Sequence, residues 1–252
     1  MTVTTPAITG DLPAEGAAPR RRPRRSLADP EYLAELRYLA FGRAVPTALF
    51  GFLGWLQLQH LLAALPITGA GHAAETVLPR ALYLMFCCLP AAIYLTRPRP
   101  RASDGRVMAR VAAFGGTLIL LLLPVFTPDS PALLTVPGWV GTASGLLLAA
   151  AWMFALWGLA YLRRSLSVIP EARRLTTGGP YRLVRHPLYF AEITAAFALQ
   201  LTNLRVLPLL ALGAFVALQL SRARFEERLL SANFPEYAAY AAHTPRIIPL
   251  VV

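Results

Sequence analysis

Hydrophobic and polar positions fall in long blocks along this chain. Apolar blocks cover residues 44–65, 80–96, 107–126, 138–162, 188–203 and 205–221, and arginine-bearing connections separate them. A helix needs about 20 mostly apolar residues to cross a bilayer, so the pattern predicts about six membrane-spanning helices. The third block contains LILLLLPVF and the fourth GLLLAAAWMFALWGLAYL. The fifth and sixth are short and meet at Thr202-Asn203-Leu204-Arg205, which predicts a tight helical hairpin. Pro46, Pro90, Pro124 and Pro208 sit in or near the blocks. Membrane helices tolerate proline where neighbours satisfy the freed carbonyls.

The connections are asymmetric. Arg20 to Arg25 precede the first block, Arg97 to Arg110 follow the second, Arg163 to Arg185 follow the fourth and Arg222 to Arg246 follow the sixth. Residues 66–79 hold no arginine, 127–137 hold none, and Arg205 stands alone. Cytoplasmic loops carry the excess of basic residues. All four rich segments share one side only with six spans, which puts both termini in the cytoplasm of a bacterial plasma membrane. Residues 1–35 read as a disordered basic tail, 36–162 as four membrane helices, and 163–252 as a further region with two short helices. The expected fold is an all-α integral membrane bundle.

Composition agrees. Of 252 residues, 56% are hydrophobic and 15% charged, against about 25% charged in an average soluble domain. The net charge of +11 would fit nucleic acid on a soluble fold, but here it orients spans, and no nucleic-acid partner is expected. Cys87 and Cys88 are adjacent in an apolar block, which reads as packing; no metal site is expected.

Ionisable and aromatic side chains collect after residue 163, in LTTGGPYRLVRHPLYFAE (175–192) and RARFEERLLSANFPEYAAYAAHTPRIIP (222–249). A hairpin between them would bring the two together at the membrane surface. Pro187 suits the first turn of a helix, where its missing N–H costs little. Arg185 and His186 then stand at a helix start beside free N–H groups, a setting for a ligand carboxylate or simply an arginine-rich interfacial loop. Glu226 and Glu227 follow Arg222 and Arg224 at helical spacing, and such pairs contribute ~0.2–0.5 kcal/mol. A carboxylate at the membrane boundary also needs a partner. Tyr237 and Tyr240 read as pocket wall or interfacial packing. Arg246 reads as a bidentate anchor for an acceptor carboxylate or as a surface arginine.

GPYRLVRHPLYFAE, then EERLL, FPEYAAY and TPRIIP, together resemble the isoprenylcysteine carboxyl methyltransferase family and the related membrane phospholipid methyltransferases. The likeness covers about residues 163–249, and its combined motifs are specific. Ala191 stands where such proteins often have glycine, and His243 where a basic residue is common. The resemblance implies an integral membrane methyltransferase that uses S-adenosyl-L-methionine without a Rossmann fold, and no GxGxxG follows a strand pattern here. It implies that Tyr181, Arg185, His186, Pro187, Tyr189, Glu226 and Glu227 bind the cofactor. The implied partner is a lipophilic methyl acceptor that enters from the bilayer, among membrane lipids, to a cytoplasm-facing site. A carboxylate is the leading acceptor, with Arg246 at the chemistry and Tyr237 and Tyr240 on the substrate. A phospholipid amine is the alternative. A non-enzymatic subunit or a transporter fits less well, because the first four spans lack mid-bilayer charges and paired breaks.

Overall fold

A computed structural model describes residues 30–100, 102–103, 106–126, 133–168, 171–202 and 204–249. Most of the expected basic tail lies outside the described residues, as do residues 127–132 of the arginine-free connection 127–137. The chain divides at Arg37. The first unit contributes α1 (Pro30–Arg37). The second begins with a π-helical turn, Tyr38–Ala44. Its helices are α2 (Val45–Ala63), α3 (Ala70–His72), α4 (Leu78–Thr96), α5 (Val107–Phe126), α6 (Trp139–Leu162), α7 (Pro187–Leu201), α8 (Val206–Asn233) and α9 (Tyr237–His243).

Each of the six apolar blocks thus carries a helix. The described residues are mostly helical (78%), and among them the strand pairing is one two-residue antiparallel contact, β1 (Ala102–Ser103) with β2 (Glu171–Ala172). Among the described residues, four helical stretches suffice by length and composition to cross a membrane; they end at Ala63, Thr96, Leu162 and Asn233. α7 is apolar but has only 15 residues, roughly 22 Å at 1.5 Å per residue. α8 differs from its prediction in the opposite sense. It runs 28 residues without a break, so the carboxylates expected just past the apolar block ride on the same rigid rod.

Sequence chemistry explains the starts and the packing. Pro46, Pro79 and Pro187 each sit in the first turn of their helix, where a missing N–H is free of cost. Ser144, Gly145, Ala149, Ala151, Ala155 and Gly158 are buried on α6. Small residues let helices approach closely where lipid supplies no hydrophobic drive. α6 packs between α4 and α7, while α5 lies along α8. Tyr83, Phe86 and Trp152 fill the α4–α6 seam, with Tyr83 and Trp152 rings 4.4 Å apart. Phe52, Trp55, Met85, Met153 and Leu210 point outward and exposed, as a lipid-facing surface requires.

One buried arginine ties the ends together. Arg97, just past α4, is 2% exposed. Its guanidinium bonds Gly42 O at 2.9 Å, Leu166 O at 3.0 Å and Glu171 at 3.2 Å, and stacks 4.1 Å over the Tyr94 ring. Glu171 also takes Arg173 at 2.7 Å, and Val168 N donates to the Tyr94 hydroxyl. The segment leading to the candidate site is therefore fastened to the end of α4.

A Cβ at Gly145 would lie 2.5 Å from the Ala74 carbonyl oxygen and the Glu75 Cα, whereas one at Gly213 would meet nothing. Gly145→Ala is expected to lower stability by ~1–3 kcal/mol through overpacking against backbone, and Gly213→Ala to lower it not at all. Thermal unfolding of both variants in detergent checks the contrast.

Candidate active site

The site is built where three segments converge. Gly179 begins a short 3₁₀ turn, Gly179–Arg182, at φ +61°. A Cβ there would stand 2.6 Å from the Tyr161 ring, so only glycine permits both the left-handed backbone and the contact. The turn buries Tyr181, whose carbonyl accepts a bond from Tyr240 OH at 2.6 Å. His186 then caps α7 ahead of Pro187.

The amides of Arg185 and His186, just ahead of α7, are not free. Arg185 N–H donates to Pro245 O at 2.7 Å and His186 N–H to Arg246 O at 3.0 Å. The carboxyl-terminal segment thus occupies the donors assigned to a ligand carboxylate, because buried backbone N–H groups must be paired. Those bonds fix the TPRIIP segment against the start of α7.

Charge then organises around α8. Glu227 Oε1 lies 3.2 Å from His186 Nε2, 3.2 Å from Arg185 Nη1 and 3.1 Å from Arg246 Nε. Its Oε2 takes Arg246 Nη2 at 2.7 Å and Nε at 3.0 Å. Glu226 accepts a hydrogen bond from Tyr189 OH and faces His186 Nδ1 at 3.6 Å. The His186 and Tyr189 rings stack 5.3 Å apart. The partners of both glutamates therefore come from other segments, not from Arg222 and Arg224 one turn back along α8. Arg222 instead donates to Gln219 Oε1 at 2.8 Å and lies 4.8 Å from the Tyr189 ring centre.

A cavity of about 770 Å³ opens on this cluster. Tyr181, Arg185, His186, Pro187, Tyr189, Glu226, Tyr237 and Tyr240 all line it. Its wall continues between the helices past Tyr83 and Trp152 and reaches Glu75 and Arg80 near the opposite helix ends. Glu227 and Arg246 are turned away and line a separate surface crevice with Arg224 and Arg228; Arg185 and Tyr237 border both spaces. Of the two glutamates, Glu226 is the one on the cavity wall. Among the described residues no three His, Cys, Asp or Glu side chains are grouped to hold a metal ion.

Three polar atoms of side chains that line the cavity lack a hydrogen bond: Arg185 Nε, Arg222 Nε and the Tyr237 hydroxyl. Burial pushes the Tyr237 phenol up to about 12, aided by the charge of Glu227, so it remains a donor. Glu192, which also lines the cavity, escaped sequence reading. The signal was present: a carboxylate three residues after Tyr189 in an apolar block, on the same helical face.

Burial disfavours a charged His186, but bonds to Glu226 and Glu227 outweigh it and raise its pKa above the ordinary 6.5. A raised pKa contributes stability that is full below the unfolded value and is lost as pH rises through the folded one. The stability advantage of wild type over His186→Asn is expected to be full below pH 6.5 and to shrink as pH rises above it, where carboxylates stay ionised. Unfolding temperatures of the pair across that range test the sign.

Comparison with known proteins converges on the same region. Residues 139–237 match the family model described as phospholipid methyltransferase. That match includes α6, which the sequence pattern groups with the preceding helices. The chain is 42% identical over 77 residues to the cobalt-zinc-cadmium resistance protein CzcN of Cupriavidus metallidurans, covering 30% of this chain and 35% of that one. It is 37% identical over 81 residues to the nickel-cobalt-cadmium resistance protein NccN of Alcaligenes xylosoxydans xylosoxydans, covering 31% and 38%. The aligned region spans only somewhat over a third of the length of each relative. Through residues 139–237, with the RHPxY motif at the mouth of α7 and Glu226 of α8 on one cavity wall, this membrane protein is similar to the phospholipid methyltransferase family.

Proposed function

We propose that the chain is an integral membrane methyltransferase that takes its methyl group from S-adenosylmethionine and gives it to a lipophilic acceptor. The supporting observation is continuity: one cavity carries a charged cluster at one end and apolar walls between helices along the rest. A polar donor and an apolar acceptor can then share it.

The residues at the charged end suit the cofactor. Arg185, with its unpaired Nε, matches the carboxylate. Glu226, with a side chain 26% exposed, matches an amino group or ribose hydroxyls. The unpaired Tyr237 hydroxyl supplies a further donor beside Tyr240. Tyr181, Pro187 and Tyr189 complete the wall. When bound, the cofactor presents a methyl group on a sulfonium sulfur, an already activated carbon. The protein's share is therefore to hold and align donor and acceptor. His186 and Glu227 set the posture of that wall, and Arg246 holds Glu227 through two parallel bonds.

In this scheme residues 1–35 are a basic tail, 36–162 the supporting helices and 163–252 the methyltransferase region. Arginine asymmetry puts both termini and the site on the cytoplasmic side of a bacterial plasma membrane. The acceptor enters from the bilayer. A carboxylate acceptor, which the resemblance implies, had Arg246 as a candidate anchor; that side chain is engaged by Glu227 and lines the outer crevice. An amine acceptor draws support from Glu192 on the cavity wall.

Purified protein is expected to bind S-adenosylmethionine by titration calorimetry. Glu226→Ala and His186→Ala should each weaken binding about 10- to 100-fold, the loss typical of a charged hydrogen bond. Folded wild-type protein that shows no binding would sink the proposal.

A further inference from the structure

The outer crevice beside Glu227 has no part in the proposed reaction. It is a space of about 780 Å³. Arg224, Glu227, Arg228 and Ser231 face it from α8, at spacings of three and four residues that set them on one side of the helix. Ala238 and Ala241 form part of the opposite wall on α9, and their small side chains leave the gap between the helices open. The crevice starts at Arg224, just past the apolar block 205–221, where α8 turns from apolar to charged.

Its charges do not balance. Arg185, Arg224, Arg228 and Arg246 line it against a single carboxylate, Glu227. That carboxylate is already taken, because His186, Arg185 and Arg246 hold its two oxygens. Arg224 and Arg228 are left without an acid: both are exposed, and neither has a hydrogen bond or ion pair among the described residues. Glu236, just ahead of α9, does not line the crevice. Neither does His243 at the end of α9, whose ring bonds Ala239 O. Like charges four residues apart on a helix repel, and an anion between them removes that repulsion.

Arginines that only orient a chain in a bilayer need no fixed donor, whereas here one is fixed. Arg246 gives Nε and Nη2 to Glu227, which locks the plane of its guanidinium. Its other edge, Nη1 with the second proton of Nη2, stays available, and the side chain is 43% exposed. Such a fork fits a pair of phosphate oxygens. A carboxylate has two oxygens and one charge; a phosphate group has more oxygens to share among three guanidinium groups.

We infer that the crevice is a second ligand site, which takes a phosphate group. Arg246 binds it through the free edge of its guanidinium, and Arg224 and Arg228 neutralise it from α8. The phosphodiester of an anionic lipid headgroup and a free phosphate ion share this chemistry. The site stands independently of methyl transfer in the cavity.

The full chain in neutral detergent is titrated with two probes and followed by its unfolding temperature, which a ligand of the folded state raises with concentration. One probe is sodium phosphate, against sodium chloride at equal ionic strength. The other is dioleoyl phosphatidylglycerol, against dioleoyl phosphatidylcholine, whose choline cancels the phosphate charge. A rise with the lipid alone identifies a headgroup, a rise with phosphate alone a soluble ligand, and a rise with both the phosphate group itself; each supports the site. No rise beyond the controls overturns it. Arg224→Gln and Arg228→Gln should each weaken the apparent affinity about tenfold, as for a charged hydrogen bond. Arg246→Lys, which keeps the charge and loses the fork, should weaken it as much. Arg110→Gln removes an exposed arginine outside the crevice and should change nothing. Wild-type affinity in all three crevice variants, or an equal loss in Arg110→Gln, overturns the inference. Arg228→Gln should bind S-adenosylmethionine like wild type, and a matching loss there overturns the separation of the two sites. Wild type that binds the phosphate probe but not S-adenosylmethionine overturns the proposed function and leaves this site standing.

Discussion

A carboxylate cannot stand unpaired where a helix leaves the apolar layer, and Glu227 satisfies that constraint by gathering His186, Arg185 and Arg246. The three partners come from the entry to α7 and from the carboxyl-terminal segment, so one side chain of α8 determines where both lie. The backbone follows the same plan: the amides of Arg185 and His186 are held by carbonyls of residues 245 and 246. Once these are fixed, Glu226 has a defined direction. It points past Tyr189 toward the cavity, and the rest of the charged wall assembles behind it.

Much of this was legible because membrane helices announce themselves. Each of the six apolar blocks carried a helix, with α8 running on past its block to Asn233, since a helix in lipid must satisfy its backbone internally wherever the sequence is apolar. Punctuation was equally readable: Pro187 opened α7. The motif residues Tyr181, Arg185, His186, Tyr189 and Glu226 came to one cavity wall. What failed was pairing. Helical spacing placed Arg222 beside Glu226, yet the packing of α7 on α8 turned Arg222 to Gln219 and gave Glu226 to Tyr189. Spacing along one helix is weak evidence when a second helix offers a better partner across the seam.

The same limit hid the deeper polar groups. Gln219 and Glu192 lie 27 residues apart in sequence, in two blocks read as apolar. Their contact exists only because α7 and α8 lie side by side. Arg97 was read as one of many charges that orient the chain, and it became a buried clamp between Gly42, Leu166 and Glu171. An arginine count gives side and orientation; burial decides which few arginines hold structure.

The unbroken length of α8 has a mechanical corollary. Gln219, Arg222, Glu226 and Glu227 are mounted on one rod, so they tilt together and cannot be adjusted one at a time. A strain applied anywhere along that rod, whether from a bulky neighbour on α5 or from a bilayer of unsuitable thickness, is delivered to the site as misalignment. Such damage would leave the chain folded, and would spoil only the alignment of the side chains around the cavity.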